Sequence, residues 1–231
     1  MQIIPVLDLK NGVVVHAKQG QRERYAPIHS LLCQSAVIEQ VIAAYLNLYP
    51  FSTFYIADLN AILGNTEHEA LLKRVLTHFP QLTFWIDSGY QSAPHIYQQH
   101  ANYVPVLGSE SYSNAQYLEL LSFQKNYILS LDFSAERPLG AEHLFTSSAL
   151  WPKNIIIMTL QRVGSDTGPD FRKLHHFIHT HPNHTIIAAG GIRDIADIIE
   201  LRKLGITSAL LASALHSGAI NTAELHKTHR L

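Results

Sequence analysis

The 231-residue chain reads as an α/β protein, a (β/α)8 TIM barrel, on three observations. Eight short apolar runs recur along its whole length. Stretches with helical spacing separate them. The turns after corresponding runs in the two halves carry matching residues. Near-continuous apolar runs, rather than alternating ones, are what parallel strands buried on both faces require. Alternation of strand and helix argues for parallel βα units, and eight units argue for closure into a barrel over an open doubly wound sheet. The length is slightly under the roughly 250 residues usual for that architecture.

The runs occupy residues 3–7, 53–57, 82–86, 103–107, 127–131, 154–158, 185–189 and 208–212. Residues 34–48 carry apolar side chains at 37, 38, 41, 42, 45, 46 and 48, the spacing of one helix face. A helix over 68–79 follows Asn65-Thr66, where a cap can form, and another over 170–179 follows Gly168-Pro169. Residues 194–204 start on Asp194, a capping residue, and stop before Gly205, a helix terminator. Residues 10–30 form a long loop after the first run. No Pro/Gly/Ser-rich linker interrupts the chain, so residues 1–231 are expected to form one domain.

Composition narrows the function classes. The chain has 17 Lys+Arg against 18 Asp+Glu, a net charge of −1, so a basic nucleic-acid surface is not expected. No run approaches a membrane span. The start, MQIIPVLDLK, lacks the basic segment and cleavage site of a signal peptide, which points to the cytoplasm. Cys33 stands alone, so no internal disulfide and no cysteine zinc site can form. Fifteen histidines are present, five of them between 175 and 184, but no HExxH pattern occurs, and a solvated helix face accounts for that cluster better than a metal. No metal is expected.

The repeat locates candidate site residues. Gly89 and Gly191 follow equivalent runs, 102 residues apart; Ser109 and Ser213 follow the next pair, 104 apart. Asp8 and Asp132 end the first and fifth runs, 124 apart. Two half-barrels, about 1–122 and 123–231, are therefore expected. Gly190, Gly191 and Arg193, with Ala212 and Ser213, end the seventh and eighth runs, where barrels often bind phosphate through backbone amides and helix N-termini. Ser88, Gly89, Gly108 and Ser109 form the weaker counterpart in the first half, with Asp87 adding negative charge. Asp8 and Asp132 would face each other across the mouth, as a general acid and base do. Asp58 ends the second run, where it either positions substrate or binds loop amides.

These residues resemble a known family. Pro5, Asp8, Leu9, Lys10, Gly12, Gln19, Gly20, Arg24 and Tyr25 are similar to the opening of the histidine-biosynthesis barrels (HisA/HisF), closest to the isomerase that acts on phosphoribosylformimino-AICAR ribotide (ProFAR). Asp58 in FYIADLNA, Asp132 in SLDF, and the AGGIRD and LLASALHSG segments match that pattern along the chain. The resemblance implies a half-barrel duplication and an Amadori rearrangement of an aminoaldose to an aminoketose. It implies a substrate with two ribose phosphates and no cofactor. It makes Asp8 the base at C2 and an opposite carboxylate the ring-opening acid, and it brings Gln19, Gly20 and Arg24 to the site. It says nothing of oligomeric state.

Two departures stand out. The family's acidic sixth-strand end is here Met158–Ser165 without an acid, followed by Asp166. Its first-half Gly-Gly-Gly-Ile-Arg is here Asp87-Ser88-Gly89-Tyr90-Gln91, which loses an arginine able to fork onto an anion. The expected function is a HisA-like isomerase of a phosphoribosyl compound. The alternatives are a divergent paralogue acting on another phosphorylated substrate, for example in one-carbon-carrier cofactor biosynthesis, and a non-catalytic phosphate-binding barrel.

Overall fold

The computed structural model describes residues 1–66, 68–92 and 99–230. All eight apolar runs are strands: β1 (Gln2–Lys10), β3 (Thr53–Asp58), β4 (Thr83–Asp87), β5 (Tyr103–Gly108), β6 (Ile128–Ser134), β8 (Asn154–Thr159), β9 (Thr185–Ala189) and β10 (Ser208–Leu211). They pair in parallel in that order, and β10 closes back on β1 with Gln2 opposite Ser208. The closed eight-stranded barrel agrees with the expectation. Two short strands sit off the ring. β2 (Val13–Val15) returns antiparallel on β1 through Asn11-Gly12, both with positive φ as a tight hairpin turn requires. β7 (Arg137–Pro138) does the same on β6 through Ala135-Glu136.

The helices lie between strands: α1 (Ile38–Leu48), α2 (Leu59–Ile62), α3 (Glu69–His78), α4 (His143–Thr146), α5 (Phe171–Thr180), α6 (Ile195–Lys203), α7 (Ser213–His216) and α8 (Thr222–Arg230). Helix α6 starts as expected, with the Asp194 carboxylate accepting from the Ala196 and Asp197 amides. Asp170 caps α5 in the same way through the Lys173 amide. Helix α1 starts four residues later than its periodicity predicts. The Ala36 carbonyl accepts from the Val14 amide at 2.8 Å, which holds residues 36–37 extended against β2.

Period-two alternation along the strands divides the core. Ile4, Tyr55, Val106, Ile128, Ile156, Ile187 and Leu210 pack together inside the barrel. Leu7, Phe54, Ile56, Phe84, Leu129 and Ile157 point outward against Val41, Tyr45, Leu72, Phe177 and Leu201 of the helices. Each fully buried aliphatic or phenyl side chain contributes roughly 1.5–3 kcal/mol, which makes the register costly to shift.

Candidate active site

That register decides which strand-end acids look into the barrel. Asp8 lies two residues beyond Val6 and four beyond Ile4, on the inner face. Asp87 follows Trp85 by two, and Asp132 follows Ile128 by four, so both share that face. Asp8 and Asp87 each pair with Ala57, one from either side, and Asp132 pairs with Met158. All three line one mouth, together with Arg22, Tyr25, Tyr55, Glu110, Leu160, Ser165, Gly190, Gly191, Ala212 and Ser213.

Asp132 and Asp87 are held by hydrogen bonds. Asp132 is buried. Its Oδ1 accepts from Ser130 Oγ at 2.7 Å, and its Oδ2 from Ser109 Oγ and the Glu110 amide, both at 3.3 Å. Asp87 Oδ1 accepts the Gly89 amide at 3.0 Å. Gly108 separates the two acids: a Cβ there would stand 2.8 Å from Asp87 Oδ2 and 3.2 Å from Asp132 Oδ2. The two oxygens are thus no further apart than the sum of those distances. Arg22 is bonded to Glu110.

Burial governs the protonation of these acids. It pushes Asp8 up to about 7, with Arg22 pulling the other way. It pushes Asp87 up to about 8, aided by Asp132 and Glu110 and opposed by the Gly89 amide. Asp132 is raised by burial and by Glu110, against its hydrogen bonds from Ser130 and the Glu110 amide. Such acids can exchange protons near neutrality, which an acid/base pair needs.

The opposite wall is backbone. Gly190 and Gly191 have φ of +91° and +83°. A Cβ on Gly191 would fall 2.3 Å from the Gly168 carbonyl oxygen, so only glycine permits this turn. Ser213 opens α7, and its Oγ lies 3.3 Å from His16 Nε2. Behind it, the buried His216 bridges Ser30 Oγ and Tyr45 OH, both at 2.9 Å. Burial lowers its pKa to about 4. The bridge ties the first loop and α1 to α7.

Several expected residues stand elsewhere. Asp58 follows the inward-facing Ala57, so it points away from the barrel interior. Its fully buried carboxylate accepts from the Ala61 amide, the His68 amide and His68 Nδ1. This is the loop-binding outcome rather than the substrate-positioning one. Arg193 turns its guanidinium onto Asp197, with Nε to Oδ2 at 2.9 Å and Nη2 to Oδ1 at 2.8 Å. Arg24 is exposed and bonds Gln21. The Gln19 amide donates to the Val163 carbonyl, and Gly20 packs against Leu160, so these two brace the mouth from outside. Ser88, Gly89 and Ser109 are in the loops under Asp87 and Asp132, and Ser109 is a direct partner of Asp132.

Three mouth residues were not singled out from sequence as site residues: Arg22, Glu110 and Asp87. Phase would have found Asp87, since it lies two residues beyond an inward tryptophan. No local pattern distinguishes Arg22 from Arg24. Among the described residues, no group of three or more His, Cys, Asp or Glu is placed to hold a metal ion. Among them also, no helix is long and apolar enough to cross a membrane.

Comparison with known proteins adds the following. The family described as "Histidine biosynthesis protein" matches residues 2–221. An uncharacterized protein of Methanocaldococcus jannaschii is 28% identical over 230 residues, covering 97% of each chain. A Lacticaseibacillus casei protein named 1-(5-phosphoribosyl)-5-((5-phosphoribosylamino)methylideneamino) imidazole-4-carboxamide isomerase is 25% identical, covering 97% of this chain and 98% of its own. A Streptococcus sanguinis protein of the same name is 22% identical, covering 100% and 99%.

Proposed function

The chain belongs to the histidine biosynthesis protein family, and from that premise we propose that it is a phosphoribosyl isomerase that moves a proton between neighbouring carbons of a sugar phosphate with Asp8 and Asp132 as its acid/base pair. Relatives named as isomerases of a bis-phosphoribosyl compound support the reaction class. The observation that carries the residue roles is the mouth itself. Two strand-end acids, both raised toward neutrality by burial, share it with the glycine turns of the opposite wall.

The proposed reaction is an Amadori rearrangement. Asp132, held protonated by burial, gives its proton to the ring oxygen as the C1–O bond breaks and the nitrogen lone pair forms a C1–N double bond. Asp8, which Arg22 draws toward the ionised form, removes the C2 proton. The C2–H pair becomes a C1–C2 double bond, and the C1–N π pair returns to nitrogen. Loss of the C2 hydroxyl proton and protonation of C1 then give the ketone. Gly190, Gly191, Ala212 and Ser213 would hold a phosphate through backbone N–H groups. No step requires a metal or organic cofactor.

The test is rescue of a bacterium that lacks the histidine-pathway isomerase, with Asp8→Asn as control. Rescue by the wild type and its loss in the variant, expected at about 10²–10⁴-fold in rate, would support the reading. Failure of a soluble, well-expressed wild type would remove the histidine-pathway substrate.

A second reading keeps the chemistry but changes the substrate. Two observations favour it: the end of β8 carries no acid, since Thr159-Leu160-Gln161-Arg162 stands there and the nearby Asp170 is committed to capping α5; and Asp87 occupies a position where the family pattern has glycine.

A further inference from the structure

The two ends of the mouth are chemically opposite, and the difference concerns the second half of any ligand. In the β9–β10 wall, glycine turns and a helix start present backbone to the cavity. In the β4–β5–β6 wall, the groups that would grip an anion are already occupied. The Gly89 amide, in a left-handed turn with φ +60°, donates to Asp87 Oδ1. The Glu110 amide donates to Asp132 Oδ2. Gln91, which stands where an anion-binding arginine is expected, donates Nε2 to the Ser111 carbonyl at 2.6 Å. Arg22 is the one cation among the described residues lining the mouth, and it is bonded to Glu110. Carboxylates of the protein thus sit where a phosphate would need these donors.

We propose that the β4–β5–β6 end of the mouth selects the amine- or amidine-bearing end of a substrate with a single phosphate, and rejects a second phosphate. The cavity is lined by the carboxyls of Asp87, Asp132 and Glu110, and Asp87 Oδ2 and Asp132 Oδ2 converge over Gly108, where no side chain separates them. Clustered carboxyls complement a protonated amine, whose charge draws them into the ionised form, and disfavour a second phosphate. The inference rests on the reading that the Gly190–Gly191 and Ala212–Ser213 turns take the phosphate.

The test is calorimetric titration with three matched probes: glucose 6-phosphate, glucosamine 6-phosphate and glucose 1,6-bisphosphate. Glucosamine 6-phosphate is expected to bind about tenfold tighter than glucose 6-phosphate, and the bisphosphate no tighter than glucose 6-phosphate. Asp87→Asn keeps the shape and the acceptor for Gly89, and is expected to shrink the preference for the amine. Asp87→Gly frees the Gly89 amide and is expected to strengthen bisphosphate binding; unchanged circular dichroism checks that each variant is folded. A wild type that prefers the bisphosphate about tenfold or more, or an amine preference that is absent or survives Asp87→Asn, overturns the inference alone. If none of the probes binds, or if Gly191→Ala leaves their binding intact, the phosphate reading fails as well.

Discussion

Gly108→Ala probes the contact on which the geometry of the mouth turns. Gly108 has φ −77° and ψ 128°, ordinary extended backbone, so alanine brings no backbone strain. Its cost is steric. The new methyl would stand 2.8 Å from Asp87 Oδ2 and 3.2 Å from Asp132 Oδ2, where relaxed carbon–oxygen contacts are about 3.3–3.6 Å. Neither acid is free to yield, because Gly89 holds Asp87 at 3.0 Å and Ser130 holds Asp132 at 2.7 Å. Overpacking of this kind costs about 1–3 kcal/mol. At a midpoint of about 2 kcal/mol, Tm falls by roughly 4–8 °C for a chain of this size. Thermal unfolding of the wild type, Gly108→Ala, Asp87→Ala and the double variant measures it. The double variant is expected to recover about 1 kcal/mol or more relative to additivity, since removing the Asp87 carboxyl removes the closer clash. A Gly108→Ala protein within about 1 °C of the wild type, or strictly additive effects, would refute the placement of the two carboxylates.

Because Asp87 and Asp8 have folded pKa values of about 8 and about 7 against an ordinary 3.8, the folded state binds more protons than the unfolded one between those limits. Their contribution therefore favours the fold at low pH and fades as pH rises from about 4 to about 8, and Asp87→Asn is expected to flatten that decline in denaturant titrations. His216 acts oppositely: with its pKa lowered to about 4, its contribution is lost as pH falls from 6.5 toward that value. Asp58→Ala strands the Ala61 and His68 amides and is expected to cost about 2–3 kcal/mol in unfolding while leaving phosphate-probe affinity unchanged; lost affinity at preserved stability would give Asp58 a role in binding. Gly191→Ala meets the Gly168 oxygen at 2.3 Å with φ at +83°, so calorimetry should show lost phosphate binding alongside a lower Tm.

The strand order and the barrel were legible because both depend on short-range information: apolar runs of strand length, capping acids such as Asp194, and glycines at turns. The inner and outer faces follow from period two once one residue is assigned, and that phase already separates Asp8, Asp87 and Asp132 from Asp58. What the chain alone left undetermined is how side chains spend their hydrogen bonds. Arg193 closes onto Asp197 four residues away, and Asp58 onto His68 across a loop; nothing in the motif separates those partners from a ligand. The long first loop was similarly opaque. Arg22 reaches the mouth and Arg24 does not, because the positive-φ turn at Gln19-Gly20 and the anchor to Val163 set the direction of the segment. Parallel pairing of β5 with β4 on one side and β6 on the other brought the three strand ends together, so that Asp87 and Asp132, 45 residues apart, meet over a glycine. Sequence determined which residues could serve as acids and turns, since those properties belong to single residues and their neighbours. Tertiary structure decided which of them face one another, since burial and proximity, and with them the proton affinities of the mouth, arise only when the barrel closes.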